Sequence, residues 1–243
     1  MNDRTAATPD GAALRRDVAL ANRILERFGL SHAFGHASAR IPGTETFLLP
    51  TRRSPGLADE NRLLTVTFDG KVVDGEGEPN SEHWIHGRMY AAKPDVMAVV
   101  HAHPPNCVCL TTIGEKHRIV HNQGGPFVDG IAEYDRIGLI RSRELGDSLA
   151  RSIGSKIAVM MRGHGITTVA GDVRTATCAA VFLEESADLQ LKMLSAAGGN
   201  AQKIRPYTTE EAERVRDQLS PGIVSRAWEY FVAVAEARPI GGG

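Results

Sequence analysis

Hydrophobic positions change their period along the chain, and each change predicts an element. In GAALRRDVALANRILERFGL, Leu14, Val18, Ala21, Leu25 and Phe28 recur every three to four residues, which predicts one face of a helix with Asp10 as its N-cap. The period then shortens. ASARI, TFLLP, LLTVTF and KVVDG are brief runs divided by Pro, Gly and Asp, and they predict strands joined by turns. SEHWIHGRMYAAK returns to a helical pattern, capped by Ser81 and stopped before Pro94. VMAVV is a continuous apolar run that predicts a buried strand, and it leads into His101 and His103. SRELGDSLARSIG predicts a helix ended by Gly154, and KIAVMM a strand. DVRTATCAAVFLEESADLQLKMLSAAGG predicts a long helix capped by Asp172 and closed by glycines. One or two further helices are expected in TTEEAERVRDQLS and GIVSRAWEYFVAVAEA. No Ser/Gly linker, charge block or internal repeat interrupts the order, so residues 1–243 are expected to form one α/β domain, a sheet covered by helices.

Composition narrows the function classes. The 28 Lys+Arg against 29 Asp+Glu leave no basic excess for nucleic acid or an anionic membrane. A hydrophobic fraction of 42% suits a globular core, and no apolar run reaches the roughly 18 residues of a bilayer span. MNDRTAATPDGAALRRD lacks the apolar core of a signal peptide, and three cysteines argue against a disulfide framework, so a reducing cytoplasm is expected. Cys107 and Cys109 follow the histidines closely. Yet NCVCLTTIG has the pattern of an apolar helix start, so all three cysteines are expected to be structural.

The chemistry begins at VVHAHPPNC. Residues two apart on a strand share a face, so His101 and His103 are expected to project together just before Pro104 and Pro105 end the strand. Paired imidazoles suit a divalent metal, although hydrogen-bonded strand-end histidines are the plainer alternative. A third imidazole, His164, follows the KIAVMM strand between Gly163 and Gly165, which permit positive φ and close backbone approach. Three protein ligands with an open position match a catalytic metal site. Glu82, early in its helix, is either a carboxylate favoured by the helix dipole or an acid/base beside the metal. His86, four residues on, lines the same pocket or forms an i, i+4 pair. His83 is expected at the surface, and spacing identifies no partners for His32, His117 or His121.

GHASARIPG, TFLLP, NSEHWIHGRMYAAKPDVMAVVHAHPP and MRGHGITTVAG, in that order, resemble the class II aldolase/adducin family from about residue 12 to residue 200, leaving 201–243 as C-terminal helices. The resemblance implies an α/β/α sandwich around a central, mostly antiparallel sheet, and a homotetramer with active sites at subunit boundaries. It implies one divalent metal ion per chain, Zn²⁺ or Mn²⁺ with Co²⁺ or Fe²⁺ as alternatives, held by His101, His103 and His164. The family's catalytic carboxylate falls on Glu82, and the proton-donor tyrosine of its sugar-phosphate aldolases on Tyr134 in IAEYDRIG.

The departures divide the family's chemistries. Aldolase members bind phosphate with a Gly-Asn-x-Ser segment, whereas this chain has Gly35-His36-Ala37-Ser38, then TRRSPG and Asn80-Ser81. Gly-His-x-Ser-x-Arg is more similar to the branch of decarboxylases acting on hydroxylated aromatic or heteroaromatic dicarboxylates. His36, Ser38, Arg40 and Ser81 are therefore the expected small-molecule substrate contacts, with Arg52, Arg53 and Arg162 as further cations able to hold a carboxylate. A sugar-phosphate aldolase is the alternative enzyme. A non-catalytic adducin-like scaffold is the alternative of another class, distinguished by loss of the histidines and Glu82 that are all present here.

Overall fold

The computed structural model describes residues 11–237; Asp10, the expected cap of the first helix, lies outside them. The elements run α1 (Gly11–Arg27), β1 (His36–Arg40), β2 (Thr46–Pro50), β3 (Leu63–Thr67), β4 (Val72–Asp74), α2 (His83–Ala92), β5 (Ala98–Ala102), α3 (Pro105–Thr112), β6 (Ala132–Tyr134), α4 (Arg143–Ser152), β7 (Ala158–Met161), β8 (Gly165–Ala170), α5 (Val173–Ala196), α6 (Thr209–Glu213) and α7 (Pro221–Glu236). The strands form one eight-stranded sheet in the order β4-β3-β2-β1-β5-β8-β7-β6. Every pairing is antiparallel except β6 with β7.

Alternation along the strands divides the core in two. On one face Ala37, Ala39, Ala98, Val100 and Ala102 meet apolar residues of α1, α3, α5 and α7, including Ile24, Leu25, Leu183 and Phe231. On the other, Phe47, Val66, Val99, Val159 and Met161 meet Ile85, Met89 and Tyr90 of α2 and Leu149 of α4. Each such Leu, Ile or Phe removed from water contributes about 1.5–3 kcal/mol. The result is the expected α/β/α sandwich. Small residues on β1 and β5 let α5 lie close to the sheet. Asp172 caps that helix by accepting from Thr175 N at 2.8 Å.

Two expectations need correction. Ser81 does not cap α2: Glu82 occupies the N-cap position, and its side chain makes no capping bond. The helix expected over 208–220 is divided into α6, closed by a Thr208–Glu211 capping box, and a 3₁₀ turn Arg216–Leu219. The break falls where Arg216 bonds Asp129 on another segment at 2.7 Å as well as Glu213 on its own.

Candidate metal centre and the histidine chain beside it

β5 sits in the middle of the sheet, so side chains at its far end are flanked by strands on both sides. His101 is entirely buried on the α2 face, and His103 follows one residue beyond the strand. Their Nε2 atoms are 3.1 Å apart. The β7–β8 hairpin brings His164 to the same place through the tight turn anticipated between two glycines. Gly163 has φ +63°, and at Gly165 a Cβ would collide with the Ala102 carbonyl oxygen and stand 2.9 Å from His103 Cδ2. Glu82 completes the group, with Oε1 3.6 Å from His164 Nε2 and Oε2 3.9 Å from His101 Nε2. One ligand atom from each of Glu82, His101, His103 and His164 lies within 4.8 Å of all the others.

These residues fit a divalent metal on several independent counts. Metal–imidazole bonds of about 2.0–2.1 Å in tetrahedral array set ligand atoms roughly 3.3 Å apart, and the His101–His103 spacing of 3.1 Å is close to that. His101 Nδ1–H donates to the Ile166 carbonyl at 2.9 Å, which leaves Nε2 as a lone pair facing the group. Burial pushes the His101 pKa well down, and burial followed by the neighbouring His164 lowers that of His103 to about 4. Both rings are therefore neutral ligands at neutral pH. Most telling, both ring nitrogens of His164 are buried without any hydrogen-bond partner. A buried imidazole left unsatisfied on both sides is costly unless something else occupies one of them.

The surroundings hold this geometry. Ile140 N–H donates to Glu82 Oε1 at 2.8 Å. Burial raises the Glu82 pKa, but His164 and that amide outweigh it and keep the carboxyl below its ordinary value. Directly after His103, the buried Glu184 of α5 accepts from Asn106 N at 2.9 Å and Cys107 N at 3.0 Å. That carboxylate closes the N-terminus of α3 and anchors the turn carrying His103. An open cleft of about 680 Å³ reaches His103 and His164, lined also by Pro105, Val108, Ile137 and Leu139.

A second buried polar group adjoins the first. Because β1 pairs with β5, His36 lies opposite His101, with ring centroids 5.4 Å apart. His36 Nδ1 is 2.6 Å from His86 Nε2, His86 Nδ1 is 2.6 Å from Ser38 Oγ, and Ser38 Oγ is 2.6 Å from the Tyr90 hydroxyl. All four residues are at most 2% exposed. His86 thus serves neither as a surface partner nor as a lone pocket residue. Tyr90 was not anticipated, although Glu82, His86 and Tyr90 are four apart and so share one face of α2.

Residues 16–191 match the Class II Aldolase and Adducin N-terminal domain. The chain belongs to the class II aldolase and adducin family. It is 32% identical over 208 residues to a 3,4-dihydroxyphthalate decarboxylase of Arthrobacter keyseri, covering 77% of this chain and 81% of that protein. It is also 28% identical over 159 residues to an L-fuculose phosphate aldolase of Methanococcus maripaludis, covering 65% and 85%. An aldolase II superfamily protein from Pseudomonas syringae has the same fold, with a TM-score of 0.82, 23% identity and 96% of each chain covered.

Within this class II aldolase and adducin fold, the remaining expected site residues are scattered. Arg40 lies at the opposite end of β1 from His36. Its guanidinium lies 4.9 Å over the Phe68 ring and donates to the carbonyls of Tyr90 at 3.4 Å and Pro94 at 3.1 Å, tying β1 to the end of α2. Ser38 is completely buried with its hydroxyl enclosed by His86 and Tyr90, so it supports His36 from behind. Ser81 is half-buried in the turn before Glu82. Tyr134, on β6, is buried in the α2-side core with its hydroxyl unpartnered, so no hydrogen bond ties it to Glu82 or to a histidine. Arg52 pairs with Glu78 and Arg162 with Asp135, both at the surface. His83 is half-buried and bonds the Asn80 carbonyl; His117 is bonded to Ser186 at 2.8 Å. Cys107 and Cys178 are buried free thiols, while Cys109 is exposed. Among the described residues, no helix is long and apolar enough to cross a membrane.

Proposed function

We propose that this protein is a metal-dependent carbon–carbon lyase that removes CO2 from a hydroxylated aromatic or heteroaromatic carboxylate. The observation that carries the reading is His36. Its ring lies 5.4 Å from that of His101 and stands where the family's aldolases carry the asparagine of their phosphate-binding segment, while the cleft reaching His103 and His164 is lined by Val108, Ile137 and Leu139, apolar side chains that suit a flat ring. Similarity to 3,4-dihydroxyphthalate decarboxylases supports the same substrate class.

In this reading His101, His103 and His164 hold one divalent ion, Zn²⁺ or Mn²⁺, with Co²⁺ or Fe²⁺ compatible with a donor set that lacks thiolate. When bound, such an ion supplies Lewis-acid stabilisation of negative charge on a neighbouring substrate oxygen. Glu82 takes the proton of the substrate hydroxyl. As the C–C bond breaks and CO2 leaves, Glu82 returns a proton to the vacated ring carbon, so charge and protons balance. Its carboxyl is ionised and so free to accept that proton, and the Ile140 amide keeps the carboxylate aimed. His36 donates to the substrate's anionic oxygen. The reading includes a cytoplasmic homo-oligomer, a tetramer by family resemblance.

Metal-loaded protein offered 3,4-dihydroxyphthalate and related hydroxylated aromatic acids is expected to release CO2 and to leave ketose phosphates intact. Aldehyde release from a ketose phosphate, with no CO2 from the aromatic acids, would establish the aldolase alternative. In that reading Tyr134 is the candidate proton donor.

A further inference from the structure

We propose that Tyr90, Ser38 and His86 form a one-way hydrogen-bond chain that holds His36 in its Nε2–H tautomer, so that the ring meets the substrate as a donor. The inference rests on the reading that His36 faces the substrate, and it concerns where a proton sits on a neutral ring, with no change of charge.

The direction follows from counting protons. Burial keeps His36 and His86 neutral, with His36 lowered to about 4 and His86 well below its ordinary value, so each ring carries a single N–H. Burial also raises the Tyr90 pKa, so its hydroxyl keeps its proton. Four groups therefore supply four protons to three links, and one proton is left over at one end of the chain.

If the chain runs inward, the surplus proton sits on Tyr90, whose hydroxyl bonds only Ser38 among the described side-chain contacts. Ser38 would already be donating to it, and a buried hydroxyl proton would have no acceptor, which is costly. If the chain runs outward, Tyr90 donates to Ser38, Ser38 to His86 Nδ1, and His86 Nε2–H to His36 Nδ1. The Val99 carbonyl, 3.5 Å from Ser38 Oγ, is too distant to divert the serine proton. The surplus proton then lies on His36 Nε2. Since Nδ1 is engaged by His86, Nε2 is the ring nitrogen left to carry it. Outward polarity satisfies all three links and leaves no buried hydroxyl proton without an acceptor.

Tyr90 is buried at the closed end, so the chain cannot carry protons to solvent; its role is positioning. Glu82 remains the group that moves a proton, and His36 is fixed as a donor to an anionic oxygen. A ring free to flip tautomers would present a lone pair to that oxygen part of the time and repel it.

The test is imidazole ¹⁵N NMR of zinc-loaded protein labelled at histidine, in which two-bond couplings to the ring protons report which nitrogen carries hydrogen. The wild type should show His36 and His86 each as a single Nε2–H tautomer. Ser38→Ala removes the donor to His86 Nδ1, and both rings should become tautomer mixtures while zinc content is unchanged. Decarboxylation, measured as kcat/KM, should fall about tenfold or more. Should Ser38→Ala fold poorly, Tyr90→Phe, which withdraws the first proton of the chain, should give a partial mixture in the same spectra. A wild-type His36 protonated at Nδ1, or tautomers unaltered in a folded Ser38→Ala protein, would overturn the chain. A locked Nε2–H tautomer in a protein that releases no CO2 would uphold the chain while overturning the proposed reaction.

Discussion

Two groups of histidines lie side by side on one face of the sheet and differ in their partners. In the group of His36 and His86, every hydrogen-bonding edge that points inward meets another side chain at 2.6 Å, and the line ends in Ser38 and Tyr90. In the group of His101, His103 and His164, nitrogens converge on one point, and His164 has no partner on either nitrogen. His101 is as deeply buried as His36 and His86, so the contrast does not come from burial alone. It comes from what the backbone places opposite each ring: α2 faces His36 with complementary donors and acceptors, while the β7–β8 turn faces His101 with a third imidazole. A self-satisfied network orients a group; an unsatisfied one is built to receive a ligand.

The largest break in that comparison is expected from His103→Ala. Removing one of three imidazoles should abolish metal retention and reduce turnover to background, with circular dichroism unchanged because the sheet keeps its core. Metal content and activity equal to wild type would show that the converging nitrogens are only packing. Glu82→Gln should be milder. It keeps an acceptor for Ile140 N–H, so the fold should persist, and turnover should drop by about 10²–10⁴-fold, as for a positioned acid/base. If Glu82→Gln also lost its metal, the carboxylate would be a ligand in the resting protein.

Acid should expose the shared cost of burying neutral rings. His117 is lowered to about 4 by burial, and His86 is lowered well below 6.5, first by burial and then by His36. Above pH 7 both are neutral in folded and unfolded chains and contribute no pH dependence. Between pH 6.5 and about 4 the unfolded chain binds more protons, so stability should fall as pH falls, by at most about 1.4 kcal/mol per pH unit for each ring. Urea midpoints of metal-free protein from pH 7.5 to 5 check this, and a flat profile would contradict it. Arg40→Ala should have the smallest effect. It removes the guanidinium from Phe68 and from two carbonyls at the end of α2, so a loss of about 1 kcal/mol in unfolding free energy is expected, with metal content unaltered.

Much of the Glu82, His101, His103 and His164 cluster was legible in the chain because its signals are local. His101 and His103 share a strand face, and Gly163 and Gly165 announce the tight turn around His164. Glu82 was placed by its helix, but what holds its carboxylate is the amide of Ile140, 58 residues away, which no spacing encodes. Ser38 and Arg40 lie in a motif that invites a substrate role and share a strand face with His36, yet α2 covers that face, enclosing Ser38 with His86 and Tyr90 and engaging Arg40 at its end. β6 escaped notice because it has only three residues, Ala132–Tyr134, and is stabilised by parallel pairing with β7 more than by its own pattern. β8 was hidden behind the Gly-His-Gly turn that precedes it, although ITTVA carries β-branched residues.

The central claim is that the converging imidazoles form a metal site, and metal stoichiometry tests it most directly. Untagged protein, incubated with Zn²⁺ or Mn²⁺ and passed through gel filtration, should retain about one ion per chain by elemental analysis. His164→Ala should retain none while remaining folded. Wild-type protein that emerges without metal, or His164→Ala that keeps a full complement, would contradict the account.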